Sequence, residues 1–174
     1  MLRHFAVVAG VICTALLLAV VFWFVNFVVA PHVFFFVAQL FGVPGGSPAL
    51  FLLALTGPTL VAIPFGYGFG LLPWRRPILT GLFVVVLAAA LNIADYVRVG
   101  INLFDSVGWV NFLEAALLIV LFVIAAAFGA RSATHWAPRN RLIAGGSALA
   151  CVCAATVVAT YLAYRYVMAF ARAA

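Results

Sequence analysis

Hydrophobic residues follow one another along this chain in five long stretches, and polar residues collect in the short segments between them. The stretches cover residues 5–30, 49–72, 78–99, 109–130 and 142–164. A helix needs about 20 apolar residues to cross the hydrocarbon core of a bilayer, and each stretch reaches that length. The pattern predicts an all-α, polytopic membrane bundle of five transmembrane helices, in a single domain over residues 1–174.

The first stretch begins after Arg3 and His4, a basic start that is also typical of signal peptides. About 26 residues rise roughly 39 Å as a helix, which is too long for a signal peptide and enough to span. Pro31 directly follows the one plausible cleavage position, where cleavage is disfavoured. We expect an uncleaved span.

The segment 32–42 between the first two stretches is rich in phenylalanine and is followed by turn-forming residues at 43–48. It has about half the length that a span requires. We expect it to lie at the outer interface, and a re-entrant loop is the alternative.

The second stretch contains Gly57, Pro58 and Pro64. These residues predict a kinked packing helix. An unwound segment facing a cavity is the alternative, because lipid satisfies no backbone hydrogen bonds.

Charge is distributed asymmetrically over the ends of the stretches. Asp95, Asp105 and Glu114 lie at one set of ends, whereas most of the arginines lie at the other. The arginines at that second set of ends are Arg3, Arg75, Arg76, Arg131, Arg139 and Arg141. By the positive-inside rule the N-terminus is cytoplasmic and the C-terminus is outside.

Composition narrows the class of protein further. The chain is 69% hydrophobic and 7% charged, which excludes a soluble core. All nine basic residues are arginine, which is typical of a GC-rich bacterial genome and favours a bacterial inner membrane. They are scattered rather than clustered, so the net charge of +6 does not indicate nucleic-acid binding. No metal-ligand spacing occurs, and we expect no cofactor.

Small residues recur every four positions along the fifth stretch and form a ridge that lets another helix approach closely. They are Ser147, Cys151, Ala155, Ala159 and Ala163. That helix belongs either to this chain or to a partner. We expect the protein to contact membrane lipids and to associate with other membrane subunits or with a second copy of itself.

The outer ends of the third and fourth stretches hold the one strongly polar region. Its residues are Asn92, Asp95, Arg98, Asn102, Asp105, Asn111 and Glu114. Ionisable groups within a membrane are costly unless they are paired or functional. A structural salt bridge in the hairpin is one interpretation. The other is a site where Asp95 and Glu114, as candidate catalytic carboxyls, exchange protons, with Asn26 and His32 joining from the same side.

The stretch Asn92-Ile-Ala-Asp95, followed by Asp105, resembles the Asn-x-x-Asp segment and later aspartate of lipoprotein signal peptidases. This resemblance implies an outer-face hydrolase, with Glu114 in place of the second catalytic aspartate. The early Asp-x-x-Ser/Thr-Lys segment and the Asn-x-Gly-Ala motif of that family are absent.

The five-span layout and Ile63-Pro64-Phe65-Gly66 are similar to VanZ-like membrane proteins. Where that family has an asparagine, a Glu and Gln pair and an Asp-x-x-Asp motif, this chain has Pro58, Asn92 with Asp95, and Asn102 with Asp105. We assign the chain to neither family.

Three function classes follow from the sequence. The first is a non-enzymatic accessory or structural subunit that packs against a larger membrane complex or itself. The second is a small transporter or ligand-binding bundle that uses the outer polar hairpin. The third is a membrane hydrolase that uses Asp95 and Glu114.

Overall fold

Five α-helices make up the described part of the protein, a computed structural model that covers residues 2–29, 32, 47–98, 100 and 106–173. No strand occurs within these ranges. The helices are α1 (Leu2–Phe24), α2 (Ser47–Leu71), α3 (Pro77–Arg98), α4 (Ser106–Ser132) and α5 (Pro138–Ala173). A π-helical turn, Val25–Val29, continues α1. The all-helical prediction is confirmed for these residues.

Within the described residues, three helices are long and apolar enough to cross a membrane. The apolar segments are Pro77–Arg98, Val110–Ser132 and Pro138–Arg165, and a shorter apolar helix covers Val8–Phe24. Many large apolar side chains, such as Phe83 and Phe128, are exposed on the outside of the bundle. This surface suits lipid and agrees with a small membrane protein.

Two of the predictions concern the second stretch and the segment 32–42 that precedes it. α2 stays helical through Pro58 and Pro64 and does not unwind there. Of the segment 32–42, only His32 is described, so its interfacial or re-entrant position lies outside the described residues.

The centre of the bundle is the contact between α2 and α4, where three glycines let the two backbones touch. Gly66 lies against the carbonyl of Phe122, and Gly70 lies against the carbonyl of Ala126. From the other side, Gly129 lies against the carbonyl of Tyr67. A Cβ atom at any of these glycines would overlap the facing backbone. We call this contact the glycine seam.

Aromatic rings fill the space beside the glycine seam. Phe65 and Phe69 of α2 are fully buried against Phe122 of α4, with ring centroids 6.3 and 5.6 Å from that of Phe122. Trp74 in the following turn stacks on Phe69, with the ring centroids 5.4 Å apart. α3 packs on α4, and α1 packs on α3, so that the apolar core is continuous through four helices.

Arg141 of α5 caps the C-terminal end of α2. Its Nε donates to the Leu71 carbonyl at 3.1 Å, and its guanidinium also reaches the carbonyls of Leu72 at 3.0 Å and Gly70 at 3.5 Å. The last carbonyls of a helix have no partner within the helix and carry partial negative charge. Arg141 therefore joins α5 to α2, in addition to the role in membrane topology that the sequence predicts.

The small-residue ridge of α5 lies largely off the contact with α2. α5 meets Gly68 of α2 through Ala148 and Leu149. Three residues of the ridge are exposed, namely Ser147, Cys151 and Ala155. Ala159 is half-buried, and Ala163 is buried.

Replacing Gly70 by alanine should destabilise the bundle by about 1–3 kcal/mol, because the new methyl group has no room against the α4 backbone. Gly146→Ala is the matched control, since a Cβ there meets nothing within 4 Å and alanine favours a helix. Thermal unfolding in detergent measures both. Equal unfolding midpoints for the two variants would contradict the glycine seam.

Arg141→Gln should also lower the free energy of unfolding, by about 1.5–3 kcal/mol, because three carbonyls at the end of α2 lose a charged donor. Arg139→Gln, at an exposed position on the same helix, should have little effect. Thermal unfolding of the two variants tests the cap, and an equal loss in both would argue against it.

Candidate functional site

Glu114 is a buried carboxyl at the first third of α4, with 6% of its surface exposed. The Nδ2 atom of Asn26, in the π-helical turn after α1, donates a hydrogen bond to its Oε2 at 2.7 Å. This bond joins residues 88 positions apart in sequence. It is the polar contact that ties the end of α1 to α4.

Tyr96 of α3 completes the same cluster and has 3% of its surface exposed. Asn26 Nδ2 also lies 3.3 Å from the Tyr96 hydroxyl, and that hydroxyl forms a hydrogen bond with the Glu114 carboxyl. Amide, phenol and carboxyl thus come from three different segments. We call these three residues the Glu114 cluster.

The π-helical turn places Asn26 in this cluster. A π-helix closes hydrogen bonds over five residues rather than four, and such turns occur often at functional sites. The side chain of Asn26 lies half-buried between α2, α3 and α4, with its Oδ1 against Gly57 of α2. The apolar sequence around Asn26 carries no signal of a π-helical turn.

Two further buried amides extend the polar interior. Asn92 lies one turn before Tyr96 on the same face of α3, and its Nδ2 donates to the Ala88 carbonyl at 2.9 Å. Asn111 lies one turn before Glu114 on α4, with 8% of its surface exposed. Its Nδ2 has no hydrogen-bond partner within the part of the chain that the structure describes.

Asp95 and Arg98 lie outside this interior. Asp95 is half-buried and Arg98 is exposed, and no hydrogen bond or ion pair joins Asp95 to Arg98 or Glu114 among the described residues. The cause is the helical period, since residues four apart share a face more closely than neighbours do. Asn92 and Tyr96 therefore point inward together, and Asp95 lies to one side.

Three further residues were predicted near this site, namely Asn102, Asp105 and His32. Asn102 and Asp105 lie outside the described residues. The Nδ1 atom of His32 lies 2.6 Å from the carbonyl of Val28, a local contact within one turn. Of the residues singled out from the sequence, Asn26 and Glu114 meet directly, whereas Tyr96 is a member that sequence reasoning missed. Its four-residue spacing from Asn92 was the available signal.

Apolar residues close one side of the Glu114 cluster. Leu118 follows Glu114 by one turn of α4, and Phe22 precedes Asn26 by one turn of α1. Both are buried, together with Leu18 and Phe65 one layer further on. On the opposite side of Glu114, Asn111 extends the polar interior toward the end of the bundle where α3 ends and α4 begins, whereas Asn92 lies on the same side as Phe22 and Leu118.

The chemistry of the site is that of a single carboxyl surrounded by neutral hydrogen-bonding groups. No arginine or histidine forms an ion pair with Glu114 within the described ranges. Among the residues searched, no group of three or more His, Cys, Asp or Glu side chains is placed to hold a metal ion. Glu114 lies in a helix that is long and apolar enough to cross a membrane, and an ionisable residue in such a helix without a basic partner is a candidate functional position.

Comparisons of the chain with protein-family models, with curated proteins and with solved structures give no match. Function is therefore inferred from the side chains of the site.

Asn26→Leu should destabilise the protein by about 1–3 kcal/mol, because the buried carboxyl of Glu114 and the hydroxyl of Tyr96 both lose their amide partner. Asn111→Leu, a change of the same kind, should be neutral or stabilising, since it removes a buried donor that bonds to nothing described. Thermal unfolding compares them. A greater loss in Asn111→Leu would show that Asn111, and not Asn26, supports the interior.

Proposed function

We propose that this chain is a small multi-pass membrane protein, of the transporter or ligand-binding type, in which Glu114 binds and releases a proton. The observation that carries the proposal is the 2.7 Å hydrogen bond from Asn26 Nδ2 to the buried carboxyl of Glu114, which has no charged partner among the described residues. A carboxyl held by an arginine would stay ionised as a structural element. A carboxyl held by an amide and a phenol has partners for both protonation states.

The two protonation states use the same three side chains. When Glu114 is ionised, Asn26 Nδ2 and the Tyr96 hydroxyl donate to the carboxylate. When Glu114 is protonated, its O–H donates instead, and the Tyr96 oxygen can accept because a phenol is both donor and acceptor. The proton can thus enter and leave without rearrangement of a charged partner.

The proposed topology follows the charges of the sequence. Five spans with a cytoplasmic N-terminus and an outer C-terminus place the arginine-rich ends inside, and they place Asp95, Asn111 and Glu114 toward the outside of a bacterial inner membrane. The apolar layer at Phe22 and Leu118 supports access to the proton from that outer side.

An accessory subunit is the second candidate function. The exposed part of the ridge, at Ser147, Cys151 and Ala155, favours it, because small residues are the ones that allow close helix contacts in membranes. The partner would be a larger membrane complex or a second copy. Native mass spectrometry from mild detergent tests this candidate, since a stoichiometric heteromeric mass supports it and a lone monomer argues against it.

An outer-face hydrolase receives less support than these two. It would need Asp95 and Glu114 at one reacting centre, and no contact joins them among the described residues.

Glu114→Gln should reduce proton uptake into liposomes that contain the purified protein by at least about tenfold, because the amide keeps the shape but exchanges no proton. Asp95→Asn should leave most of the uptake, since Asp95 is not bonded to the cluster. A pH-sensitive dye inside the liposomes records the flux under an imposed gradient.

Glu114 is the one glutamate of the chain, so labelling with ¹³C-glutamate reports on this side chain alone. In the wild-type protein the labelled carboxyl signal should change between its protonated and ionised forms as the pH is varied. A signal that stays the same from acidic to alkaline pH, together with unchanged flux in Glu114→Gln, would contradict the proposed function.

A further inference from the structure

We propose that Gly57 is a positioning residue for Glu114, because the space left by its missing side chain holds the Asn26 amide that binds the carboxyl. This inference rests on the proposed function, since it concerns the same carboxyl. It assigns to α2 a part in a site whose three polar members come from α3, α4 and the π-helical turn.

The contact between Gly57 and Asn26 is direct and specific. A Cβ atom built on Gly57 would overlap Asn26 Oδ1, and it would lie 3.1 Å from Asn26 Cγ and 3.5 Å from Asn26 Cα. All three of the nearest atoms belong to Asn26. Among the described residues, no other side chain is closer to this position.

Gly57 differs in this respect from the glycines of α2 that form the glycine seam. Gly66 and Gly70 face backbone atoms of α4, where the missing side chain lets two helices pack. Gly57 faces the polar end of a side chain in the Glu114 cluster. Its lack of a side chain therefore serves the placement of an amide rather than the approach of two helices.

The geometry of an amide links this contact to the carboxyl. Oδ1 and Nδ2 are held in one plane with a fixed angle between them, so the position of one atom determines the direction of the other. With Oδ1 against Gly57, Nδ2 points at Glu114 and Tyr96. A methyl group on residue 57 would displace Oδ1, and the 2.7 Å bond to Glu114 would lengthen or break.

Two departures from ordinary helix geometry meet at this one point. The π-helical turn Val25–Val29 sets the backbone of Asn26, and a glycine in the middle of α2 leaves room for its side chain. Each departure costs stability by itself, since a mid-helix glycine is less favourable than alanine and a π-helical turn is rare. Both are explained together if the orientation of the Asn26 amide is what they maintain.

The test is the infrared band of the single ¹³C-labelled glutamate in purified protein at acidic pH. Hydrogen-bond donors lower the stretching frequency of a carboxyl C=O. Gly57→Ala should therefore move the Glu114 band to higher wavenumber, because the Asn26 donor is displaced. The same shift should appear in Asn26→Ala, which removes the donor outright.

Two controls separate positioning from loss of stability. Gly70→Ala should destabilise the bundle through the glycine seam while it leaves the Glu114 band unchanged. The double variant Asn26→Ala with Gly57→Ala should show the band of Asn26→Ala alone, because without the amide the new methyl group has nothing to displace.

The outcomes decide the inference in each case. A folded Gly57→Ala protein with an unshifted band overturns it, and so does a double variant whose shift is the sum of the two single shifts. If Gly57→Ala alone does not fold, recovery of folding in the double variant supports the contact, and continued failure overturns it.

The result for Gly57 is distinguishable from the result for the proposed function. A wild-type Glu114 signal that does not respond to pH contradicts proton exchange. The band of the one form that is present, protonated or ionised, then shows whether Gly57→Ala still alters the hydrogen bond. A wild-type signal that responds to pH, with no effect of Gly57→Ala, contradicts the positioning role alone.

Discussion

The backbone contact between α2 and α4 is the constraint on which the rest of this bundle depends. Gly66, Gly70 and Gly129 bring two helices close enough for carbonyl oxygens to meet Cα atoms. In a membrane, apolar surface gains little by leaving lipid, so the packing of small residues is what makes one arrangement of helices better than another. α3, α1 and α5 then pack around a pair whose spacing is already fixed.

The glycine seam also determines where polar groups can meet. Its axial register puts Glu114 of α4 at the level of Gly57 of α2, while the packing of α1 and α3 brings Asn26 and Tyr96 to the same level. Within the Glu114 cluster each polar side chain is matched to a neighbour, as the high cost of an unsatisfied polar group in an apolar interior favours. The cluster is thus held from four segments of the chain.

The two ends of the bundle are held by different interactions. At the end of α2, Arg141 satisfies helix carbonyls with a permanent charge, and Trp74 stacks on the aromatic core. At the other end the contacts are neutral amide, phenol and carboxyl groups, apart from the charge that Glu114 itself can carry. The first kind of contact is insensitive to protonation, whereas the proposed proton exchange at Glu114 would act on the second.

The sequence by itself determined the helical class of this protein and the positions of polar residues along its apolar runs. Runs of apolar residues are a local property, and they predicted the helices because about 20 such residues suffice to cross a bilayer. Glu114 and Asn26 were also identified, since a polar side chain within an apolar run stands out with no structure at hand.

Only the tertiary structure decided which polar residues meet. Asp95 appeared equivalent to Glu114 in sequence, but the helical period turns Tyr96 inward and Asp95 aside. The small-residue ridge of α5 was the more regular pattern, and yet the closest helix contact uses Gly66 and Gly70 of α2. The rotation of each helix about its axis depends on all of its neighbours at once, and a π-helical turn changes that rotation without a local signal. For these reasons the partners of Glu114 could be read only from the packed bundle.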